Sequence, residues 1–270
     1  MATLITNNDE LRKFIPNSIR EVKGEIPLFD KLAPFLEMAE KWFCRNFVPA
    51  ELLDAVAPDA AHIIAVEAYR LAEPQLDIVL TPNGFATVGT QNLSPASKAR
   101  VDRLVAGLLA ERDNALALLL KALPSVKGWP ESAIGRWFSA TLFPNFEIVT
   151  MQAGEANDLW YKYCELRPII ITLEASLADE WFSTPLMEAL RLENLSGTLS
   201  YLRRRVVEQI QAQIVAYLRS GSFNSRRLAD IVNKIRLNKS EFQEWHDSET
   251  AQLFEPPIFK NKKKAAGYFF

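Results

Sequence analysis

The chain has 270 residues, 49% apolar and 24% charged, the proportions of a globular protein with a buried core, which excludes a disordered or fibrous chain. Its 31 Lys and Arg face 33 Asp and Glu, and the formal charge of -2 excludes a globally basic nucleic-acid binder.

In chain order, the polar residues Asn7 to Glu10 precede Leu11, Phe14 and Ile15 at i, i+3 and i+4, which predicts a short capped helix closed by Pro16. Leu28, Leu32, Leu36, Ala39, Phe43 and Phe47 recur at steps of three and four and predict a long helix that Pro34 should kink or restart. Beyond Pro49 and Pro58, the pattern Ile63, Val66, Ala68, Tyr69 and Ala72 predicts a third helix stopped by Pro74. Residues 77–90 change character: two β-rich arms flank Pro82-Asn83-Gly84, and Asn-Gly is a strong turn signal, so a β-hairpin is expected. Ser94-Pro95 opens a helix running to about Leu123, with Val101, Leu104, Val105, Leu108, Leu109, Leu116, Leu119 and Leu120 facing inward.

Residues 124–130 read as a connector, 131–140 as a helix and 146–150 as a short strand. Helices are expected over 156–182, 185–194, 196–219 and 224–236, with a short one over 240–253. Pro256 and Pro257 then release an irregular tail, residues 258–270. The expected fold is mainly α, with an N-terminal helical unit over 1–127, a C-terminal helical unit over 128–257, one hairpin insertion and a C-terminal arm.

The two units carry a short internal match. Ala39-Glu-Lys-Trp-Phe43 resembles Ala178-Asp-Glu-Trp-Phe182 at an offset of 139, and Arg100-Val101 with Leu104-Val105 resembles Arg227-Leu228 with Ile231-Val232 at an offset of 127. The difference of 12 residues is about the size of the hairpin, which suggests a duplication with the hairpin inserted in the first copy. Chance matches between helical segments are the competing explanation.

Chemistry-bearing motifs are sparse. The first ten residues lack a basic segment followed by an apolar stretch, and no window reaches the roughly 18 apolar residues of a bilayer span, so a soluble, cytoplasmic protein without membrane contact is expected. Cys44 and Cys164 read as reduced, buried thiols. His62 and His246 have no companion at a ligand spacing, the ten Gly form no phosphate-cradling loop, and no Ser lies in a nucleophile elbow. No metal, cofactor or catalytic activity is expected. Trp42, Trp137, Trp160 and Trp181 sit at core spacing, whereas Trp129 and Trp245 carry no assignment.

Three segments together carry a resemblance: Leu11-Arg-Lys-Phe-Ile-Pro16, the Asn83-Gly84-Phe85 hairpin, and Ser94-Pro-Ala-Ser-Lys-Ala-Arg-Val-Asp-Arg-Leu104. With them the chain resembles an uncharacterised family of gut-bacterial chromosomes and their tailed phages, found beside phage structural genes, most clearly over residues 4–123. Its succession of a short helix, an Ala-rich amphipathic helix closing in aromatics and a further long helix is similar to phage head-to-tail adaptor (connector) proteins. The resemblance implies a non-enzymatic virion structural protein that assembles as a ring with itself and other virion proteins, cytoplasmic before assembly. Two other readings stay open: a host cytoplasmic helical protein-binding module, and a hydrolase using carboxylates that the sequence does not single out.

Charge divides unevenly. From residue 200 onward 13 Lys and Arg face 7 Asp and Glu, so the halves carry about -8 and +6, a polarity suited to head-to-tail packing. Arg203, Arg204, Arg205, Arg219, Arg226, Arg227, Lys234 and Arg236 are candidates for non-specific contact with packaged DNA, against the plainer reading of solvated helix faces. The candidate interface residues are Asn83, Gly84 and Phe85 at the hairpin tip, and Lys262, Lys263, Lys264, Tyr268, Phe269 and Phe270 in the arm, where lysines keep the chain solvated and aromatics supply anchors.

Overall fold

Asn7 starts the first helix, α1 (Asn8–Phe14), by accepting a hydrogen bond from Glu10 N at 2.9 Å, while Glu10 reaches back to Thr6 N at 2.7 Å. This reciprocal pairing is a capping box moved back by one residue, and it holds the Glu10 carboxyl below its ordinary pKa, chiefly through the Thr6 backbone bond. In the computed structural model the described residues are 4–15, 26–76, 78–81, 84–87, 97–153 and 157–255, with backbone alone for 78–81, 84–87 and 153. They are mainly helical, and the chain separates into two compact units, Met1–Ile169 and Ile170–Phe270.

In the first unit α2 (Leu28–Asn46) and α3 (Ala57–Leu76) pack together and α3 packs on α4 (Lys98–Ala122), with α1 against α2 and α3. Leu32, Leu36, Ala39, Phe43 and Phe47 are fully buried, so the expected stripe of α2 faces the core. Pro34 and Pro74 do not stop their helices. Both lie on exposed positions, where the carbonyl that each leaves unpaired one turn back can be hydrated.

Two short strands, β1 (Ile78–Thr81) and β2 (Gly84–Thr87), pair antiparallel with Thr81 opposite Gly84 and Leu80 opposite Phe85. Gly84 therefore belongs to the second strand and not to the turn. Residues 82, 83 and 88–96, including the expected helix start at Ser94-Pro95, lie outside the described residues. The ladder gives no support to a hairpin inserted in a duplicated unit. Ala39–Phe43 is ordinary α-helix within α2, whereas its counterpart Ala178–Phe182 is a π-helical turn.

The expected unit boundary near 127 is displaced by some forty residues, to within α7 (Leu159–Leu177). The reason is aromatic packing. Trp129 is fully buried and donates Nε1–H to the Phe47 carbonyl at 2.7 Å, and Phe138 of α5 (Ala133–Ser139) stacks near both Phe47 and Tyr163. Tyr163 in turn donates its hydroxyl to the Phe143 carbonyl at 2.8 Å. The roles of the tryptophans are the reverse of their expected order: Trp129 and Trp245 are fully buried, while Trp42, Trp137, Trp160 and Trp181 are half-buried.

The expected strand over 146–150 is instead α6 (Glu147–Ala153). Asn145 Oδ1 accepts from Glu147 N at 2.9 Å and starts the turn, which buries Phe146, Ile148 and Val149.

In the second unit the π-helical turn ends where Ser183 N bonds to the Ala178 carbonyl at 2.8 Å. Buried Ser183 takes a left-handed φ of 66° and caps α8 (Thr184–Ser196), which closes on Gly197 at φ 70°. Helix α9 (Tyr201–Ser220) starts at Tyr201, five residues later than expected, because Gly197 ends α8 and the hydroxyl of the capping Ser200 accepts from Arg203 N. It packs against α10 (Ser225–Leu237), capped by Asn224. The expected helix over 240–253 is broken into short turns, including α11 (Gln243–His246) and α12 (Glu249–Gln252), around buried Phe242 and Trp245. Trp245 donates Nε1–H to the Trp181 carbonyl at 2.9 Å. No helix among the described residues is long and apolar enough to cross a membrane.

Two glycines give a test of this packing. An added Cβ at Gly135 would overlap the Trp129 carbonyl oxygen and approach Pro130 Cα to 2.8 Å, both backbone, whereas at Gly107 in α4 it would meet nothing within 4 Å. Gly135→Ala is expected to cost about 2–3 kcal/mol through forced backbone displacement, and Gly107→Ala to gain about 0.5–1 kcal/mol from helix propensity. Urea unfolding of both variants reads the two opposite signs.

Candidate functional site

Near the middle of α4 the sequence places Arg112 and Asp113 side by side, and both are buried, at 2% exposure each. A buried guanidinium needs several acceptors. Arg112 donates through Nη1 to Glu67 of α3 at 3.1 Å, through Nη2 to Asp113 at 2.7 Å, and through Nη2 to Asp158, just before α7, at 2.8 Å. Its guanidinium also lies 5.5 Å from the Trp42 ring of α2. Arg70 closes the other side of Glu67 with a bidentate pair at 2.6 and 2.8 Å.

Three carboxylates thus meet two guanidinium groups, and the start of α7 compensates the excess. Leu159 N donates to Asp113 at 2.6 Å and Tyr161 N to Asp158 at 2.8 Å, so two carboxylates sit at the positive end of a helix. Burial is the largest influence on Asp113 and leaves its pKa above the ordinary value, although Arg112 opposes it. Burial also presses the Arg112 pKa down, but Asp113 and Glu67 outweigh it and hold the cation firmly protonated.

Beside this network an open groove of about 600 Å³ runs along the N-terminal half of α4. Val101, Val105 and Leu109, spaced by four, form its apolar floor, with Glu73 of α3 and Asp102 as acidic side chains and Asp113 at the network end. Sequence periodicity predicts an inward-facing α4 throughout. The structure buries Leu108, Leu116, Leu119 and Leu120, leaves Leu104 at 41% exposure, and leaves Val101, Val105 and Leu109 only half covered. Helix periodicity identifies a face but not whether another element lies on it.

In the second unit, Arg203 forms a comparable centre. It lies 2.7 Å from Glu193, pairs with Glu244 at 3.1 Å, and donates to the Glu241 carbonyl at 2.7 Å. Burial is the largest single influence on Glu244 and pushes its pKa up, but the Arg203 hydrogen bond, a backbone N–H and the Arg203 charge together outweigh it and leave the carboxyl below its ordinary value. Arg203 is therefore structural, which corrects its place among the candidate DNA contacts. Arg205 pairs with Glu208 and Lys234 bonds to Gln209, while Arg204, Arg226, Arg227 and Arg236 are exposed.

Of the candidate interface residues, Gly84 and Phe85 have backbone positions in β2, paired with Thr81 and Leu80. Asn83, Lys262, Lys263, Lys264, Tyr268, Phe269 and Phe270 lie outside the described residues. Cys44 and Cys164 are free and half-buried, and burial raises both thiols, Cys164 to about 11, which keeps them protonated at neutral pH. His62 bonds to Glu111 at 2.8 Å and stacks on Phe14. Among the described residues no group of three or more His, Cys, Asp and Glu is placed to hold a metal ion.

Residues 19–139 match the model of a family of unknown function, DUF6712. That stretch contains the groove residues of α3 and α4, together with Glu67, Arg112 and Asp113, but not Asp158. No curated protein and no solved structure matches the chain.

Arg112→Leu is expected to cost about 3–5 kcal/mol in urea unfolding, because it strands buried carboxylates. Adding Glu67→Gln should return part of the loss, which packing alone would not. A pH series tests Glu244: its folded pKa is lowered, so its contribution to stability is present above its ordinary value of 4.5 and disappears as pH falls through the folded value. Stability of the natural chain should fall more steeply below pH 4.5 than that of Glu244→Gln, measured by urea midpoints.

Proposed function

We propose that the protein is a non-enzymatic structural component of a tailed phage or prophage, an adaptor at the head-to-tail connection that assembles with copies of itself and with other virion proteins. Three features support this reading. The first is the resemblance carried by Leu11 to Pro16, Asn83 to Phe85 and Ser94 to Leu104. The second is charge polarity along the chain, about -8 before residue 200 and +6 after it.

The third carries the most weight, and it is how the buried ions are arranged. Each buried carboxylate among the described residues is held by an arginine or a backbone N–H: Glu40 by Leu4 N, Glu67 and Asp113 by Arg112, and Glu174 by Arg191 at 2.8 Å. Carboxylates committed in this way hold helices together, whereas a general acid must be free to meet a substrate. The open acidic groove on α4 and exposed apolar side chains such as Leu118 and Leu237 are features of a molecule built to be covered by others. Exposed arginines on α9 and α10 extend this reading to non-specific contact with packaged DNA. The protein is then cytoplasmic before assembly and part of the virion after it.

Antibody labelling of purified particles from a lysogen or phage that encodes the chain tests the assignment by electron microscopy. Label at the junction of head and tail is expected, and purified particles devoid of the protein would overturn it.

A further inference from the structure

The groove along α4 is an apolar floor with acidic sides. Among the described residues its lining contains Glu73, Asp102 and Asp113 and no Lys or Arg. Arg112 already holds Asp113, so the charges left for an incoming group are Glu73 of α3 and Asp102, the latter beside Val101 at one end of the groove. An occupant suited to it therefore carries positive charge at one end and apolar bulk at the other. The volume of about 600 Å³ lies in the range of roughly 300–1,000 Å³ typical of ligand pockets.

The chain contains a segment of this character. Fifteen residues follow Glu255, with lysines at 260, 262, 263 and 264 and then Tyr268, Phe269 and Phe270 at the end. Lys264 and Tyr268 are four residues apart, about 13 Å in an extended chain, and along α4 the seven residues from Asp102 to Leu109 rise by about 10 Å. The lysines can lie against Glu73 and Asp102 while the aromatic residues cover Val105 and Leu109. An extended segment of fifteen residues reaches about 50 Å, far enough to leave its own subunit.

Resting on the self-assembly proposed above, we infer that this groove receives residues 258–270 of a second copy of the chain, lysines on the acidic end and Tyr268, Phe269 and Phe270 on the apolar floor. The contact is head-to-tail: every copy offers one groove and one arm, so the interface is heterologous and continues from copy to copy until a ring closes. The arm's cations supply selectivity and encounter rate, and its aromatic anchors supply the lasting contact.

The test uses the full chain with benzoylphenylalanine at position 269, mixed as 15N-labelled and unlabelled copies, photo-crosslinked and mapped by mass spectrometry, with light scattering on the same samples. Crosslinks joining labelled to unlabelled copies at peptides spanning 101–109 are expected. Asp102→Lys, at an exposed position, should reduce them about tenfold at equal concentration, whereas Glu51→Lys, an exposed carboxylate outside the groove, should not. Oligomers whose crosslinks fall elsewhere would overturn the docking site and leave self-assembly standing. Crosslinks confined to single copies would likewise overturn it. A chain that stays monomeric at every concentration would remove both.

Discussion

A guanidinium taken out of water must recover its hydration from protein groups, and Arg112 does so by drawing carboxylates from three elements around itself. Glu67 comes from α3, Asp113 from its own helix and Asp158 from the residue before α7, while Trp42 of α2 supplies a ring face. These contacts span 45 residues of sequence on one side and 46 on the other, so they form only when the helices are in register. The same centre fixes where α7 begins, since its first N–H groups are spent on Asp113 and Asp158. The aromatic packing around Phe47, Trp129 and Tyr163 depends on that placement of α7.

The second unit applies the same physics with other parts. Arg203 ties α9 to Glu193 of α8 and to the turns carrying Glu241 and Glu244, and buried Trp245 donates to a carbonyl of the π-helical turn. In each unit one fully buried indole N–H is satisfied by a backbone carbonyl at or beyond a helix end, Phe47 in one case and Trp181 in the other. This is a likeness of solution, and the different local conformations of Ala39–Phe43 and Ala178–Phe182 do not make it evidence of duplication.

This arrangement divides the charges into two populations. Those inside are paired and hold helices in register; those outside give the chain its polarity and line the open face of α4. A rigid fold presents its surface charges in a fixed pattern, and recognition by charge depends on such a pattern.

Periodicity and caps, which are local, could be read directly from residues: the buried stripe of α2, the cap at Asn7 and the mainly helical character all follow from spacing within a few residues. Other outcomes depended on partners far away in the chain. Pro34 and Pro74 remained inside helices because they fell on solvent-facing positions, and residues 146–150 became helical because an Asn cap preceded them and no strand lay beside them among the described residues. The network around Arg112 had no sequence signature, since adjacent Arg and Asp residues on a helix usually face water; burial alone made them a structural centre. The groove was hidden for the opposite reason, as Val101, Val105 and Leu109 read as core by spacing, whereas in the fold they are half covered and line an open face. Spacing within the sequence determined which residues share a face, and tertiary packing decided which faces are covered, because burial belongs to pairs of elements and not to either one alone.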